Sequence, residues 1–177
     1  MQQVYGGMVM GKVQIRQMKE EDIDIVYQVF TKDKIIKPFD YIVSCWDENK
    51  TGERITLMAF SDQEFVGSLH LLKNSSYPFF KENGIPEIND FNVVSNRRGQ
   101  GIGNELMEEV EKLAFETYSH LGIGVGLYAD YGRAQRLYTK RAYILDRRGI
   151  MYNNEPVAPG SHVRVDDELV LYFTKSR

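Results

Sequence analysis

Apolar and polar side chains alternate along several short stretches of the chain, and this period of two is typical of β-strands that bury one face. Together with short apolar runs bounded by turn residues, the alternation predicts seven strands. They cover residues 13–16, 55–60, 65–72, 88–94, 124–129, 143–145 and 168–173. Only the polar residues 61–64 separate the second strand from the third, so we expect these two to form an antiparallel hairpin.

Other segments repeat their apolar residues at the spacing of three and four that marks one face of a helix. They are residues 23–30, 39–46, 104–120 and 133–141. The third pattern is the strongest, because Leu106, Val110 and Ala114 share a face and Gly122 follows as a stop signal. Acidic residues 20–22 precede the first helix, where the positive end of the helix dipole favours carboxylates.

The order of these elements predicts an α+β fold in which a mixed sheet carries helices on its faces. The chain has 177 residues, a length that suits one domain, and no repeat or linker divides it. We therefore expect a single domain over residues 13–177. Residues 1–12, rich in glycine and methionine, are expected to form a loose N-terminal leader.

Charge, apolar run length and cysteine count argue against several classes of function for this protein. The formal net charge is -3, which is unlike a nucleic-acid-binding protein, so we expect no nucleic-acid partner. No apolar run reaches the roughly 18 to 20 residues that span a bilayer, and no signal peptide is evident, so we expect no membrane association and a cytoplasmic location. The single cysteine, Cys45, excludes an intrachain disulfide. Because His70, His120 and His162 are scattered, we expect no metal.

A glycine-rich loop connects the strand at 88–94 to the strongest helix. It reads Arg98-Gly99-Gln100-Gly101-Ile102-Gly103-Asn104. The first turn of a helix has unpaired N–H groups at the positive end of its dipole, and glycines let an anion approach the backbone, so the loop suits a pyrophosphate. A merely flexible turn is the alternative. No Lys-Ser/Thr follows Gly103, and the glycines alternate, so the two common nucleotide-binding loops do not match.

Val93 followed by this loop resembles the acetyl-coenzyme A loop of the GNAT acyltransferases, which reads Gln/Arg-x-x-Gly-x-Gly/Ala after a valine-bearing strand. Phe65-Val66-Gly67 in the hairpin and Ala134-Gln135-Arg136-Leu137-Tyr138 before Ala142-Tyr143 are similar to further landmarks of that family. The resemblance implies a GNAT fold with a mostly antiparallel mixed sheet, splayed fourth and fifth strands, and helices on both faces. The pantetheine arm of the coenzyme would lie in the splay.

Three glycines stand at alternate positions near the predicted fifth strand, Gly122, Gly124 and Gly126. Their period of two strips one strand face of side chains. This pattern indicates either a narrow space for the pantetheine arm or a weak, tightly packed strand, and the sequence does not decide between them.

The resemblance also implies a set of residues that bind acetyl-CoA. These are Val93, Val94, Arg98, Gly99, Gln100, Gly101, Ile102, Gly103, Asn104, Tyr131, Arg133 and Ala134. Members often have asparagine where this chain has Tyr131, which puts the usual amide contact in doubt, although a tyrosine hydroxyl can replace it.

Three side chains are candidates for catalysis. Tyr138 matches the family tyrosine that faces the coenzyme sulfur and acts as general acid, although a core tyrosine is the alternative. Glu87 and Asp90 are the candidate general bases, and a base acting through water remains open. The resemblance places the donor to the developing oxyanion on the fourth strand, at the backbone N–H of Val93 or Val94.

We therefore expect an N-acetyltransferase that moves an acetyl group from acetyl-CoA to a primary amine, directly within a ternary complex. A small-molecule amine is the favoured acceptor. The alternatives are a protein or peptide N-acetyltransferase and a non-catalytic acyl-CoA sensor. Family members build the acceptor pocket from segments that correspond here to residues 32–46 and 151–167, and a homodimer is an expectation from the family alone.

Overall fold

The computed structural model of the protein describes residues 13–177, so the expected leader at 1–12 lies outside the described residues. The strands are β1 (Gln14–Gln17), β2 (Arg54–Ser61), β3 (Glu64–Leu72), β4 (Glu87–Val93), β5 (His120–Gly126), β6 (Ile144–Leu145), β7 (Met151–Tyr152), β8 (Glu155–Pro156) and β9 (Leu169–Ser176). The helices are α1 (Ile23–Lys32), α2 (Phe39–Thr51), α3 (Pro78–Glu82), α4 (Ile102–Thr117) and α5 (Gly132–Lys140).

These strands form one sheet in the order β1-β2-β3-β4-β5-β9-β7-β8, and β6 pairs with β9 beside β7. The β4–β5 pair is parallel, whereas the other strand pairs are antiparallel. A single parallel pair within an antiparallel sheet requires a crossover connection, and α4 supplies it. The expected mixed α+β architecture is confirmed.

Strands β4 and β5 separate soon after they begin. They are paired only at Glu87 with Gly122 and at Ile88 with Ile123, although β4 continues to Val93 and β5 to Gly126. Beyond the paired residues the two strands diverge and leave a gap between their carboxyl ends. This gap is the splay that the resemblance implies.

Helices cover both faces of the sheet because alternate residues of each strand point to opposite sides. On one face α4 and α5 pack against the main core, to which Leu57, Leu69, Ile88, Leu106 and Ile123 belong. On the other face α1 and α2 pack around a second cluster. It contains Met18, Val26, Phe30, Ile42, Met58 and Phe65. The segment after β3 adds a third, aromatic cluster on this second side, formed with Tyr77, Phe80 and Tyr172.

Two sequence expectations need correction. The helix predicted over residues 104–120 ends at Thr117, and β5 begins at His120 rather than at residue 124, because β9 pairs with it from His120 onward. The sequence patterns also missed α3 and the β7–β8 hairpin. That hairpin turns on Asn153 and Asn154, both at positive φ, as a tight two-residue turn requires.

Candidate active site

A β-bulge interrupts β4 beside the splay. The register with β3 shifts between Ser68 and His70, so β4 carries one extra residue there. Asp90 lies within the bulge at a φ of 48°, a left-handed conformation that is uncommon for a non-glycine residue. Bulges re-aim side chains, and here the Asp90 carboxylate contacts the loop between α1 and α2 and the start of α2.

Downstream of the bulge, the β4 backbone presents a donor toward the gap. The Val94 N–H donates to the Val66 carbonyl at 3.0 Å, so this donor is used by the sheet. Because hydrogen bonds alternate in direction along an antiparallel ladder, the Val93 N–H is directed away from β3. Of the two predicted oxyanion donors, the Val94 N–H is therefore engaged with β3, whereas the Val93 N–H faces away from it.

The glycine loop has the conformation that its glycines allow. Gly99 and Gly101 have φ values of 79° and 88°, which disfavour any residue with a side chain. The amides of Asn104 and Glu105 donate to the Gly101 carbonyl at 2.9 and 3.1 Å. Within the described part of the chain, the amides of Gly99, Gln100 and Gly101 form no hydrogen bond. Together with the first amides of α4, they make a donor set suited to an anion.

Several predicted side chains of this region have partners within the protein. The Arg98 Nε donates to the Val93 carbonyl at 2.9 Å, and the Gln100 amide donates to the Asn96 carbonyl at 3.2 Å. The Asn104 amide oxygen accepts a hydrogen bond from Arg141 at 2.6 Å. These contacts shape the loop, so its backbone is the more available anion ligand. Ala134 is half-buried at the start of α5, and Arg133 beside it is exposed.

Tyr131 is packed rather than extended into the gap. Its hydroxyl donates to Asp167 at 2.9 Å, so its proton is already committed. A Cβ added to Gly126 would lie 2.4 Å from the Tyr131 ring. Phe80 lies over Gly122 and Tyr172 over Gly124 in the same way. A Cβ atom added to each glycine would lie 2.3 Å from the Phe80 ring and 3.0 Å from the Tyr172 ring, respectively. On this face of β5 the glycines therefore accommodate aromatic rings, and the tightly packed alternative is correct.

Tyr138 lies on α5 and is buried in the main core. Its ring is 6.1 Å from that of Tyr143, and its hydroxyl forms no hydrogen bond within residues 13–177. Burial raises the pKa of the Tyr138 phenol, so the group stays protonated at neutral pH. The hydroxyl is thus a proton donor with no partner of its own.

The two candidate bases on β4 have opposite electrostatic surroundings. Burial raises the pKa of the Glu87 carboxyl, and the hydrogen bonds from Ser75 and Asn89 offset only part of that rise. Burial also opposes ionisation of Asp90, but the His70 imidazole 3.4 Å away and the contact with the Lys37 ammonium outweigh it. They hold the pKa of Asp90 well below its usual range. Glu87 is therefore the better proton acceptor near neutral pH, since an acid that ionises so readily is a weak base.

Two neighbours of Asp90 were not among the sequence candidates. Lys37 comes from the loop between α1 and α2, and His70 from β3; each contacts the Asp90 carboxylate. Lys37 lies in the segment 32–46 that was expected to help build the acceptor pocket, but no local pattern singled it out, and His70 looked like an isolated histidine. The contacts of both residues with Asp90 join positions far apart in the chain. Burial lowers the pKa of the His70 imidazole despite the nearby carboxylate, so His70 is neutral at pH 7.

In the described residues there is no group of three or more histidine, cysteine or acidic side chains that could hold a metal ion. Nor is any helix of residues 13–177 long and apolar enough to cross a membrane.

Comparison with known proteins supports the interpretation of the fold. A model of the acetyltransferase (GNAT) family matches residues 19–143. No curated protein matches the chain. Among solved structures, an N-acetyltransferase from Staphylococcus aureus Mu50 aligns with a TM-score of 0.69 at 15% identity, covering 94% of this chain and 99% of that one.

Two similar structures are acetyltransferases of ribosomal proteins. The enzyme from Salmonella typhimurium that modifies the N-terminal serine of the ribosomal protein L7/L12 aligns with a TM-score of 0.69 at 13% identity, covering 93% of this chain and 95% of that one. The ribosomal-protein-alanine N-acetyltransferase from Brucella melitensis aligns with a TM-score of 0.68 at 16% identity, covering 93% and 99%. At these identities the likeness establishes the fold alone.

The family model spans most of the domain, and the splayed sheet and the glycine loop agree with it. The chain belongs to the GNAT acetyltransferase family and is an acyltransferase enzyme.

Proposed function

We propose that the protein transfers an acetyl group from acetyl-CoA to the primary amine of a small molecule, directly within a ternary complex. One observation carries the proposal: the β4–β5 gap opens beside a glycine loop whose amides are unpaired within the described residues. Such a loop at a helix N-terminus stabilises a diphosphate, and a gap between strand ends accepts an extended chain.

The backbone from Gly99 to Gly103 would hold the diphosphate of the coenzyme. Arg133, exposed at the start of α5, is the candidate for a further phosphate contact. Val93 and its neighbours on β4 would pair with the pantetheine arm. Since the Tyr131 hydroxyl donates to Asp167, its proposed role is to shape the wall of the gap rather than to contact the coenzyme directly.

Acetyl transfer to an amine needs a base, a proton donor and a partner for the developing oxyanion. Glu87, whose pKa is raised, would take the proton of the amine. The Val93 N–H would stabilise negative charge on the thioester oxygen. Tyr138, protonated and without a hydrogen-bond partner in the described residues, would return a proton to the departing thiolate.

A peptide acceptor is the second candidate. The enzymes from Salmonella typhimurium and Brucella melitensis, by their descriptions, act on ribosomal proteins, and their folds are similar to this one. Thiol release from acetyl-CoA with polyamines, amino acids and short peptides as acceptors separates the two candidates. Turnover with peptides alone would overturn the small-molecule acceptor.

The Tyr138→Phe variant tests the chemistry. Removing the proton donor should lower kcat by about 100-fold or more, while calorimetry should find the acetyl-CoA Kd within about twofold of the original. Tyr143→Phe is the matched control. It also removes a buried hydroxyl that lacks a hydrogen-bond partner in the described residues, and the centre of its ring lies 6.1 Å from that of Tyr138. An unchanged kcat in Tyr138→Phe, or an acetyl-CoA Kd too weak to measure in the parent protein, would refute the proposal.

A further inference from the structure

A small cavity lies on the α1–α2 side of the sheet, beside the β4 bulge. Val26, Phe30 and Ile42 form an apolar wall. The polar end contains Tyr41 and His70 together with Asp90 and Lys37. The cavity therefore joins an aliphatic surface to a charged end, which is the pattern that an alkylammonium ion would match.

Among the described residues, Asp90 holds the only negative charge at this polar end. Its carboxylate accepts hydrogen bonds from the Tyr41 hydroxyl at 2.9 Å and the Asn92 amide at 2.7 Å, and it also contacts the Lys37 ammonium. The His70 Nε2 lies 3.4 Å from the same carboxylate. Since His70 is neutral, Lys37 is the one cation that neutralises Asp90 within the described part of the chain.

The hydrogen bonds of His70 define its tautomer. The Thr56 hydroxyl accepts a hydrogen bond from Asn49 at 2.8 Å and lies 2.8 Å from the His70 Nδ1. Its own proton is then available for Nδ1, which leaves the proton of the neutral ring on Nε2, facing Asp90. Even without Lys37, Asp90 therefore keeps the hydrogen bonds from Tyr41 and Asn92 and faces the Nε2–H of His70 at 3.4 Å, so only its charge would be left unbalanced.

Lys37 enters this site from the loop between α1 and α2, not from a helix or strand. Its neighbour Ile36 is 90% exposed, so apolar burial does not fix the loop at that position, whereas Ile35 before it packs against the second cluster. The ammonium lies 5.4 Å from the centre of the Tyr41 ring and in contact with Asp90. These are the contacts that any primary alkylammonium would make: an anion, a π face and an apolar wall.

We propose that Tyr41, His70 and Asp90 form an ammonium site for an aliphatic diamine, and that Lys37 occupies this ammonium site until the acceptor displaces it. The group held here is not the reacting amine, because an amine next to the ionised Asp90 stays protonated and cannot attack. The second amine of the same molecule is the one acetylated. This assignment of the acceptor class rests on the proposed function, but the existence of the ammonium site does not.

Binding to a variant without the lysine side chain tests the ammonium site in the absence of any reaction. Lys37→Ala removes most of the lysine side chain, including its ammonium group, and leaves the negative charge of Asp90 without a counterion. We expect n-butylammonium, at ten times its Kd, to raise the Tm of Lys37→Ala by about 3–5 °C and to titrate as one site by calorimetry. The uncharged n-butanol should do neither, and the double variant Lys37→Ala/Asp90→Asn should not respond to n-butylammonium.

Lys37→Met is the matched control, because methionine occupies the volume of the lysine methylene chain without carrying its charge. This variant should exclude the probe. If Lys37→Ala does not fold, the same probes are added during refolding. Recovery of folded protein with n-butylammonium but not with n-butanol supports the ammonium site. Equal recovery with both probes or with neither, or a folded Lys37→Ala that binds n-butylammonium no better than the double variant does, overturns it.

Kinetics on the unmodified protein test the acceptor class. The KM for 1,4-diaminobutane should be at least about tenfold below that for n-butylamine, and Asp90→Asn should remove this difference mainly through KM. Equal KM values for the two amines overturn the diamine assignment. Binding of n-butylammonium to Lys37→Ala combined with no turnover of any amine would instead refute the proposed function and leave the ammonium site intact.

Discussion

Two carboxylates three residues apart on β4 have opposite acid strengths because different partners surround them. Glu87 is buried with neutral donors, so its charged form is disfavoured, and its pKa is raised. Asp90 is buried with a cation, so its charged form is favoured and its pKa is lowered. Such a divergence separates a proton acceptor from a fixed charge. The proposed base, Glu87, and the proposed ammonium ligand, Asp90, can therefore be distinguished by the pH range in which each carboxyl ionises.

Replacement of Glu87 by glutamine should change both activity and the pH dependence of stability. Loss of the base should lower kcat by about 100-fold. In the parent protein the folded state keeps the Glu87 proton above pH 4.5, where the unfolded chain has lost it. The contribution of Glu87 to the free energy of unfolding therefore falls as the pH rises from about 4.5 through its raised pKa.

Urea denaturation of the parent protein and Glu87→Gln between pH 4 and 8 measures this difference. The stability of Glu87→Gln relative to the parent should increase across that window. Glu82→Gln, at the exposed end of α3, is the control and should leave the curve unchanged. A pH-independent difference between Glu87→Gln and the parent would show that folding does not raise the pKa of Glu87.

At the scale of elements, β5 depends on its glycines for packing rather than for flexibility. Phe80 of α3 lies over Gly122, and Tyr172 of β9 lies over Gly124. Both rings occupy the volume that side chains of β5 would otherwise fill. Because β5 forms one arm of the splay, its close contact with these rings fixes that arm of the β4–β5 gap.

Gly122→Ala should therefore destabilise the protein. Its new methyl group would lie 2.3 Å from the ring of Phe80, which is fully buried and packed against Tyr77 and Tyr172. We expect a loss of about 1–3 kcal/mol in the free energy of unfolding, measured by urea denaturation. Gly132→Ala, in open space at the start of α5, should be neutral or slightly stabilising. Equal stability of the two variants would contradict this account.

At the scale of the molecule, one buried carboxylate joins three separate parts of the fold. Glu111 of α4 accepts two hydrogen bonds from Arg141, at 2.9 and 2.8 Å, and one from Lys175 of β9 at 2.7 Å. Arg141 follows α5 and also donates to Asn104 in the first turn of α4. The network thus links the helix that bears the glycine loop to the helix that bears Tyr138.

Glu111→Gln should lower the free energy of unfolding by about 2 kcal/mol, because it leaves two largely buried cations without their anion. The acetyl-CoA Kd should rise as well, since Arg141 would no longer tie the carboxyl end of α5 to the middle of α4. Glu108→Gln, on the exposed face of α4, is the control. Thermal unfolding and calorimetry measure both effects, and a Glu111→Gln protein as stable as the control would disprove the role of the network.

Periodicity and local chemistry predicted much of this molecule. The apolar spacing of α1, α4 and α5 and the alternation of β2 and β3 are local properties, and the structure confirms these elements. The glycine loop was also visible, because a strand, a turn and a helix N-terminus follow one another in the chain. Tyr138 and the two carboxylates of β4 became candidates through the resemblance to the GNAT family, not through periodicity.

Contacts between distant segments decided the rest. Pairing with β9 moved the start of β5 to His120, and the bulge at Asp90 exists only against β3. The contact between Lys37 and Asp90 spans 53 residues of chain. The opposite pKa shifts of Glu87 and Asp90 arise from burial and from partners on other elements, and no local pattern encodes those. The sequence determined which segments form helices, strands and an anion loop, because these depend on near neighbours. Tertiary structure alone decided which charges meet, because that depends on how the sheet brings remote residues together.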